Sequence, residues 1–363
     1  MIPFIDLKSQ YEKIKNNIDQ SIQKVLDHGH YIMGPEVEEL EKSLALYVGS
    51  KHCIAVSSGT DAQLIALMAL NIKPDDEVIV PDFSFFATAE VVEMLGAECV
   101  FVDIDPNTYN MDPKLLEAKI TKKTKAIMPV SLYGLCADFD SINAIANKYG
   151  IPVIEDAAQS FGATYRGKKS CNLTTIGATS FFPSKPLGCY GDGGACFTND
   201  DDLALAMRQI RVHGQSKRYV HSRIGINARM DTIQAAILIE KLKIFDEEIV
   251  KREKIANFYS QKIKNLKGPP KTEETHVYAQ YTLEASNRNE LIEYLKEHNV
   301  PTAIHYPGTL SEQPILSHKY KNIETPHSQY ASRHVFSLPM SPYLKEEDQV
   351  KIINLINQFN EKI

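Results

Sequence analysis

Hydrophobic and polar positions follow two rhythms along the chain. Over residues 9–46, apolar and charged residues mix at helical spacing, broken at 28–35 where Gly29, Gly34 and Pro35 predict a loop. After Ser58-Gly59-Thr60-Asp61 the run AQLIALMALNI predicts a helix whose start has hydroxyl and carboxylate caps to hand. Short apolar runs then alternate with amphipathic stretches. EVIVP, ECVFVDID, 126–130, 152–155 closing on Asp156, 177–182 and 194–198 predict strands; 84–95, 113–120 and 140–149 predict helices. Runs with so little period-two alternation imply a largely parallel sheet covered on both faces.

The pattern changes after Asp200. Residues 203–211 and a long stretch, 232–258, predict helices, and a Gly-Pro-Pro and charged segment at 267–275 predicts a surface hinge. HVYAQYTLEA and PTAIHYP read as strands around a helix at 288–298, and EEDQVKIINLINQFN as a closing helix. The expected organisation is an α/β protein: an N-terminal segment and large domain over 1–250, then a linking helix and small C-terminal α+β domain over 251–363.

The 363 residues carry 40 Lys and Arg against 46 Asp and Glu, a net charge of −6 that disfavours a protein built to coat nucleic acid. Six cysteines form no CxxC pair, which argues against a zinc ribbon or redox motif. Neither a signal peptide nor an apolar run of membrane-spanning length is present, so the expectation is a cytoplasmic protein with no metal.

Three clusters carry candidate chemistry. Ser57-Ser58-Gly59-Thr60-Asp61 sits between an apolar run and a helix, where unpaired amides and hydroxyls make a phosphate or carboxylate cradle, or an ordinary helix cap. Asp156 ends an apolar strand and is followed by two alanines, which leaves room for a flat ligand; a magnesium ligand, a cap or an arginine partner would also suit it. Lys185, in SFFPSKPLG, lies in apolar, glycine-rich sequence. It suits a Schiff base with a carbonyl, or a stem packed on Phe182 with its head in water. One ligand would satisfy all three: an aromatic aldehyde phosphate such as pyridoxal phosphate, its phosphate at Gly59–Thr60 with Ser180 helping, its ring nitrogen at Asp156 and its carbonyl at Lys185.

With YIMGPEVEELE, SSGTDAQ, PDFSFFATAE, IEDAAQSFGA, SFFPSKPLG, GDGGA and GINARMDTIQAAIL in this order, the chain resembles the DegT/DnrJ/EryC1/StrS sugar aminotransferases almost end to end. The resemblance implies an aspartate-aminotransferase-like large domain (pyridoxal phosphate fold type I) with a mainly parallel central sheet. It implies catalytic roles for Lys185 and Asp156, and cofactor contacts from Gly59, Thr60, Phe85, Gln159 and Ser180. Asn227 is expected to reach the phosphate of a neighbouring subunit, making a homodimer with composite sites.

Lysine rather than histidine at 185 implies transamination over sugar dehydration, with glutamate converted to 2-oxoglutarate and pyridoxamine phosphate as the intermediate cofactor form. The neighbourhoods of Lys185 and Asn227 most resemble the branch acting on UDP-linked 3-keto-2-acetamido sugars or their uronic acids, which feeds lipid A, O-antigen or surface-glycan synthesis. A dTDP-linked 3-keto-6-deoxyhexose or a UDP-linked 4-keto-6-deoxy sugar is the alternative. Arg229, His305 and Tyr306, then His213 and Arg223, are the candidate substrate contacts, each equally suited to a surface or interface salt bridge.

Overall fold

The computed structural model describes residues 2–361. Five strands open the central sheet: β1 His52–Val56, β2 Glu77–Pro81, β3 Glu98–Val102, β4 Thr124–Ile127 and β5 Ile154–Asp156. Two later strands, Ile176–Ser180 and Gly194–Thr198, complete it. β3, β2 and β4 pair in parallel, and so do β5 and Ile176–Ser180. Gly194–Thr198 runs antiparallel to both of its neighbours, Ile176–Ser180 and β1. Parallel bridges at Ile127–Val153 and Val130–Asp156 lay the two groups of strands edge to edge. The sheet is mainly parallel, as expected, with one reversed strand.

Apolar side chains leave both faces. In β1, Cys53 and Ala55 enter one core while Ile54 and Val56 enter the other. This double burial is why the strand sequences read as unbroken apolar runs. All six cysteines are buried and free, acting as small core side chains. A third core gathers Ile255, Tyr259, Tyr281, Leu295, Phe336 and Ile356 in the C-terminal part. No helix among the described residues is long and apolar enough to cross a membrane.

Two sequence expectations need correction. The stretch 232–258 is two helices, Thr232–Leu242 and Phe245–Lys262, separated at Ile244, whose φ of −109° and ψ of 0° leave the helical region. No Gly or Pro marks the break; the only signal is Asp246-Glu247-Glu248, acidic residues suited to a helix N-terminus. PTAIHYP forms no strand beyond a single bridge, Ala303–Ser337; prolines at both ends limit ladder bonding.

Two carboxylates at the carboxyl edge of the sheet are structural. Asp82, after β2, accepts from Ser311 N (2.7 Å), Ser311 Oγ (2.8 Å) and Thr325 Oγ1 (2.5 Å). Asp103, after β3, accepts from Ser328 N (2.8 Å) and His327 N (2.9 Å) at the start of the helix Pro326–His334. Charge-assisted bonds of this kind are the stronger sort. They clamp the segment following His305 and Tyr306 onto the strand ends, above the third carboxylate of that edge, Asp156.

Candidate active site

Two helices, α1 Leu7–His28 and α2 Pro35–Val48, precede β1, and the next, α3 Gly59–Ala69, begins where β1 ends. Ser58 caps it by accepting from Asp61 N at 3.0 Å, while the amides of Gly59 and Thr60 have no partner inside the helix. Gly59 lies against the end of the strand Ile176–Ser180. A Cβ built on Gly59 would stand 2.6 Å from Ser180 Cβ and 3.1 Å from its Oγ. Only glycine permits this approach, which aligns free amides with the Ser180 hydroxyl.

Asp156 is buried at the end of β5. Its Oδ2 accepts from Thr88 Oγ1 at 3.0 Å and its Oδ1 from Ala158 N at 3.1 Å; Thr88 is linked in turn to Ser84 at 3.1 Å. Burial pushes the Asp156 carboxyl above its usual range, while the Ala158 amide, the Lys185 charge, Thr88 and Gln63 pull it back. Lys185 shows the mirror image: desolvation lowers its pKa and Asp156 raises it. Each group is the other's electrostatic partner, although 29 positions separate them in the numbering.

Aromatic and amide groups complete the walls. Phe85, 56% exposed and so unlike a core residue, lies 6.1 Å between ring centres from Tyr306. The Tyr306 hydroxyl accepts from Gln159 Nε2 at 3.0 Å, and Gln159 Oε1 accepts from Tyr133 N at 2.8 Å. His305 is held by Ser337 Oγ at 2.9 Å from its Nδ1; burial first, then the Lys185 charge, lowers its pKa to about 4. His305 is therefore neutral at pH 7.

The remaining expected contacts lie on the segment 213–229, whose Ala228 carbonyl accepts from Ser57 N at 3.2 Å, beside the start of the Gly59 helix. Asn227 is exposed and its Oδ1 accepts from Arg229 Nε at 2.8 Å. His213 and Arg223 are exposed and flank the small hairpin of Gln215–Lys217 and Val220–His221. Sequence reading missed Thr88 and Gln63 because nothing local marks either as a partner of Asp156. Gln63 is buried in α3 with its Oε1 unpartnered, an isolated polar side chain in an apolar helix and the one visible clue.

The donor set fits pyridoxal phosphate on the structure's own terms. A cradle too tight for any side chain but glycine faces a hydroxyl. A buried carboxylate with neutral donors lies beside a desolvated amine, and an exposed aromatic ring borders the opening. Among the described residues no cluster offers three metal ligands.

Comparison with known proteins agrees with this chemistry. The chain is 59% identical over 356 residues to a UDP-2-acetamido-2-deoxy-3-oxo-D-glucuronate aminotransferase of Pseudomonas aeruginosa, covering 97% of this chain and 98% of the relative. It superposes on a DegT DnrJ EryC1 StrS aminotransferase from Brucella abortus with a TM-score of 0.96, at 45% identity and 99% coverage of each chain. NtdA from Bacillus subtilis, solved with bound cofactor PMP, matches with a TM-score of 0.91 at 32% identity, covering 96% of this chain and 82% of that one. These likenesses establish the fold type I aminotransferase architecture. A model of the DegT/DnrJ/EryC1/StrS aminotransferase family matches residues 12–357, and to that family this chain belongs.

Proposed function

We propose that this enzyme transfers the amino group of L-glutamate to C3 of a UDP-linked 3-keto-2-acetamido sugar, with the 3-oxo-glucuronate preferred over its hydroxymethyl counterpart. That the chain is a sugar-nucleotide aminotransferase follows from its relatives; the donor, carrier and sugar position are the proposed part. The observation that carries the reading is the meeting of Lys185, Asp156 and the Gly59–Ser180 contact at one sheet edge. The 59% identity to the Pseudomonas enzyme favours the uronate.

When bound, pyridoxal phosphate supplies an electron sink through its protonated ring. Gly59, Thr60 and Ser180 would hold its phosphate, Asp156 its ring nitrogen and Lys185 its carbonyl, with Phe85 and Gln159 against the ring. Asp156 is suited to this because its neutral donors favour the charged form that burial alone would suppress. Lys185 Nζ would take a proton from the amine-bearing carbon of glutamate. In the second half it delivers a proton to the sugar carbon. Nitrogen leaves glutamate as 2-oxoglutarate forms with an oxygen taken from water, and the keto oxygen of the sugar leaves as water, so no net water is consumed.

A neutral His305 would meet a uronate carboxylate through a hydrogen bond, which leaves Arg229 as the candidate cation. Since Arg229 donates to the exposed Asn227, we assign the pair to the site of a second copy, in a cytoplasmic homodimer whose large and small domains divide near residue 250. The test runs the reaction backwards. With 2-oxoglutarate and a panel of UDP- and dTDP-linked 3-amino and 4-amino sugars, glutamate should appear with the UDP-linked 3-amino uronate. Turnover only with a 4-amino or a dTDP-linked sugar would overturn the substrate assignment.

A further inference from the structure

Behind the loop that carries Lys185 lies a buried charged side chain with no part in the scheme above. Lys241, on the helix Thr232–Leu242, is 1% exposed. Its ammonium donates to the carbonyl of Gly188 and stands 5.0 Å from the centre of the Tyr190 ring. Neither contact is a carboxylate. Glu248 pushes the Lys241 pKa upward from a distance, but its oxygens are taken by Gln10 Nε2 at 2.8 and 2.9 Å and Tyr343 Oη at 2.5 Å. Burial brings Lys241 down to about 8, so it keeps its charge at pH 7. A buried cation without an ion-paired partner is costly and is retained only where its contacts matter.

The contact it makes is at the neck of the lysine loop. Lys185 N donates to Phe182 O at 2.8 Å, and Cys189 N donates to Phe181 O at 2.8 Å, closing the loop over residues 182–188. Gly188 lies so close to the other limb that a Cβ there would stand 2.5 Å from Pro183 O and 2.6 Å from Phe182 O. A hold on the Gly188 carbonyl therefore fixes both limbs. On the far side Pro183, Lys185 and Pro186 border a small cavity with Gln10 and Arg252, whose Oε1 and Nε are unpartnered. Leu187 packs into the core, and the Lys241 bond ties the loop's backbone at Gly188.

We propose that Lys241 is a positioning residue for Lys185, acting through the Gly188 carbonyl to hold the 182–188 loop in its reactive shape. This rests on the role given to Lys185 above. The test compares wild type with Lys241→Met, which keeps the volume and removes the charge. Three quantities are read: amide hydrogen exchange over 182–190 in cofactor-free protein, the melting temperature, and kcat and KM separately. Exchange in that segment should rise about tenfold, the loss of one charge-assisted bond. The melting temperature should change little, since the cost of burying the charge is removed along with the Gly188 bond it makes. kcat should fall about tenfold or more with KM for the sugar little changed, because misplacing a reacting group acts on the chemical step.

Unchanged loop exchange with unchanged kcat would overturn the proposal. So would a lower melting temperature with faster exchange throughout, which marks a general structural role. Should Lys241→Met not fold, Lys241→Gln removes the charge and shortens the reach to the Gly188 carbonyl. A smaller rise in 182–190 exchange at constant melting temperature supports the proposal, and none overturns it. Borohydride trapping of cofactor on Lys185 in the wild type separates these outcomes from a failure of the Lys185 assignment itself.

Discussion

At the residue scale, the site depends on what surrounds its charges. Asp156 and Glu155 are neighbours on β5 that point to opposite faces, and both are buried. Asp156 faces Thr88 and Lys185. Glu155 faces Ser170 Oγ (2.6 Å), Cys171 N (2.8 Å) and Ser131 Oγ (3.2 Å), and burial carries its pKa to about 7, with Asp156 adding to the rise. For an acid whose folded pKa is raised, the native state holds its proton more tightly than the unfolded chain. That stability is present below the ordinary value of 4.5 and is lost as pH rises through about 7. Glu155→Gln removes this titration. Urea unfolding of cofactor-free protein from pH 4.5 to 8 should show the variant gaining on wild type up to about pH 7 and level above it; a difference independent of pH would contradict the assignment. Glu155 could be picked out in the sequence as a charge in an apolar strand, but its protonation could not, because its donors lie 15 to 24 positions away.

Among elements, the decisive contact is α3 against the strand Ile176–Ser180. Gly59→Ala places a methyl inside the Ser180 side chain and should weaken cofactor binding and cost about 1–3 kcal/mol of stability, as overpacking does. Ser180→Gly in the same chain makes room and should restore the stability but not the lost hydroxyl contact. Calorimetry with cofactor titration separates the two, and a double variant no more stable than Gly59→Ala alone would refute the contact. Much at this scale was legible: a capped helix after an apolar run placed α3, and an apolar strand ending in a carboxylate placed Asp156. The break at Ile244 was not, because no Gly or Pro occupies it and only the backbone angles of Ile244 mark it. Nor was the clamp by Asp82 and Asp103. Each is an ordinary carboxylate after a strand, and the serines and threonine that bind it lie more than 200 residues later.

For the whole molecule, the pocket needs the sheet edge, the C-terminal segment with His305 and Tyr306, and, in the proposed assembly, a second copy. The helix Phe245–Lys262 joins the parts within one chain: Phe245 and Ile249 enter a core of the large sheet, Ile255 and Tyr259 the C-terminal core. Mixing an Asn227→Ala protein with a Lys185→Ala protein tests the second copy. If each site draws Asn227 from one chain and Lys185 from the other, one mixed site in each hybrid carries neither lesion and activity returns in part. With subunit exchange verified, no recovery would place Asn227 in its own chain's site.

The most direct measurement is covalent trapping. Protein loaded with pyridoxal phosphate is reduced with borohydride, digested, and the modified peptide identified by mass. One modified peptide is expected, the one containing Lys185, and none when Lys185→Ala is treated in the same way. Cofactor fixed to another lysine, or to none in protein that has been saturated with it, would contradict the account.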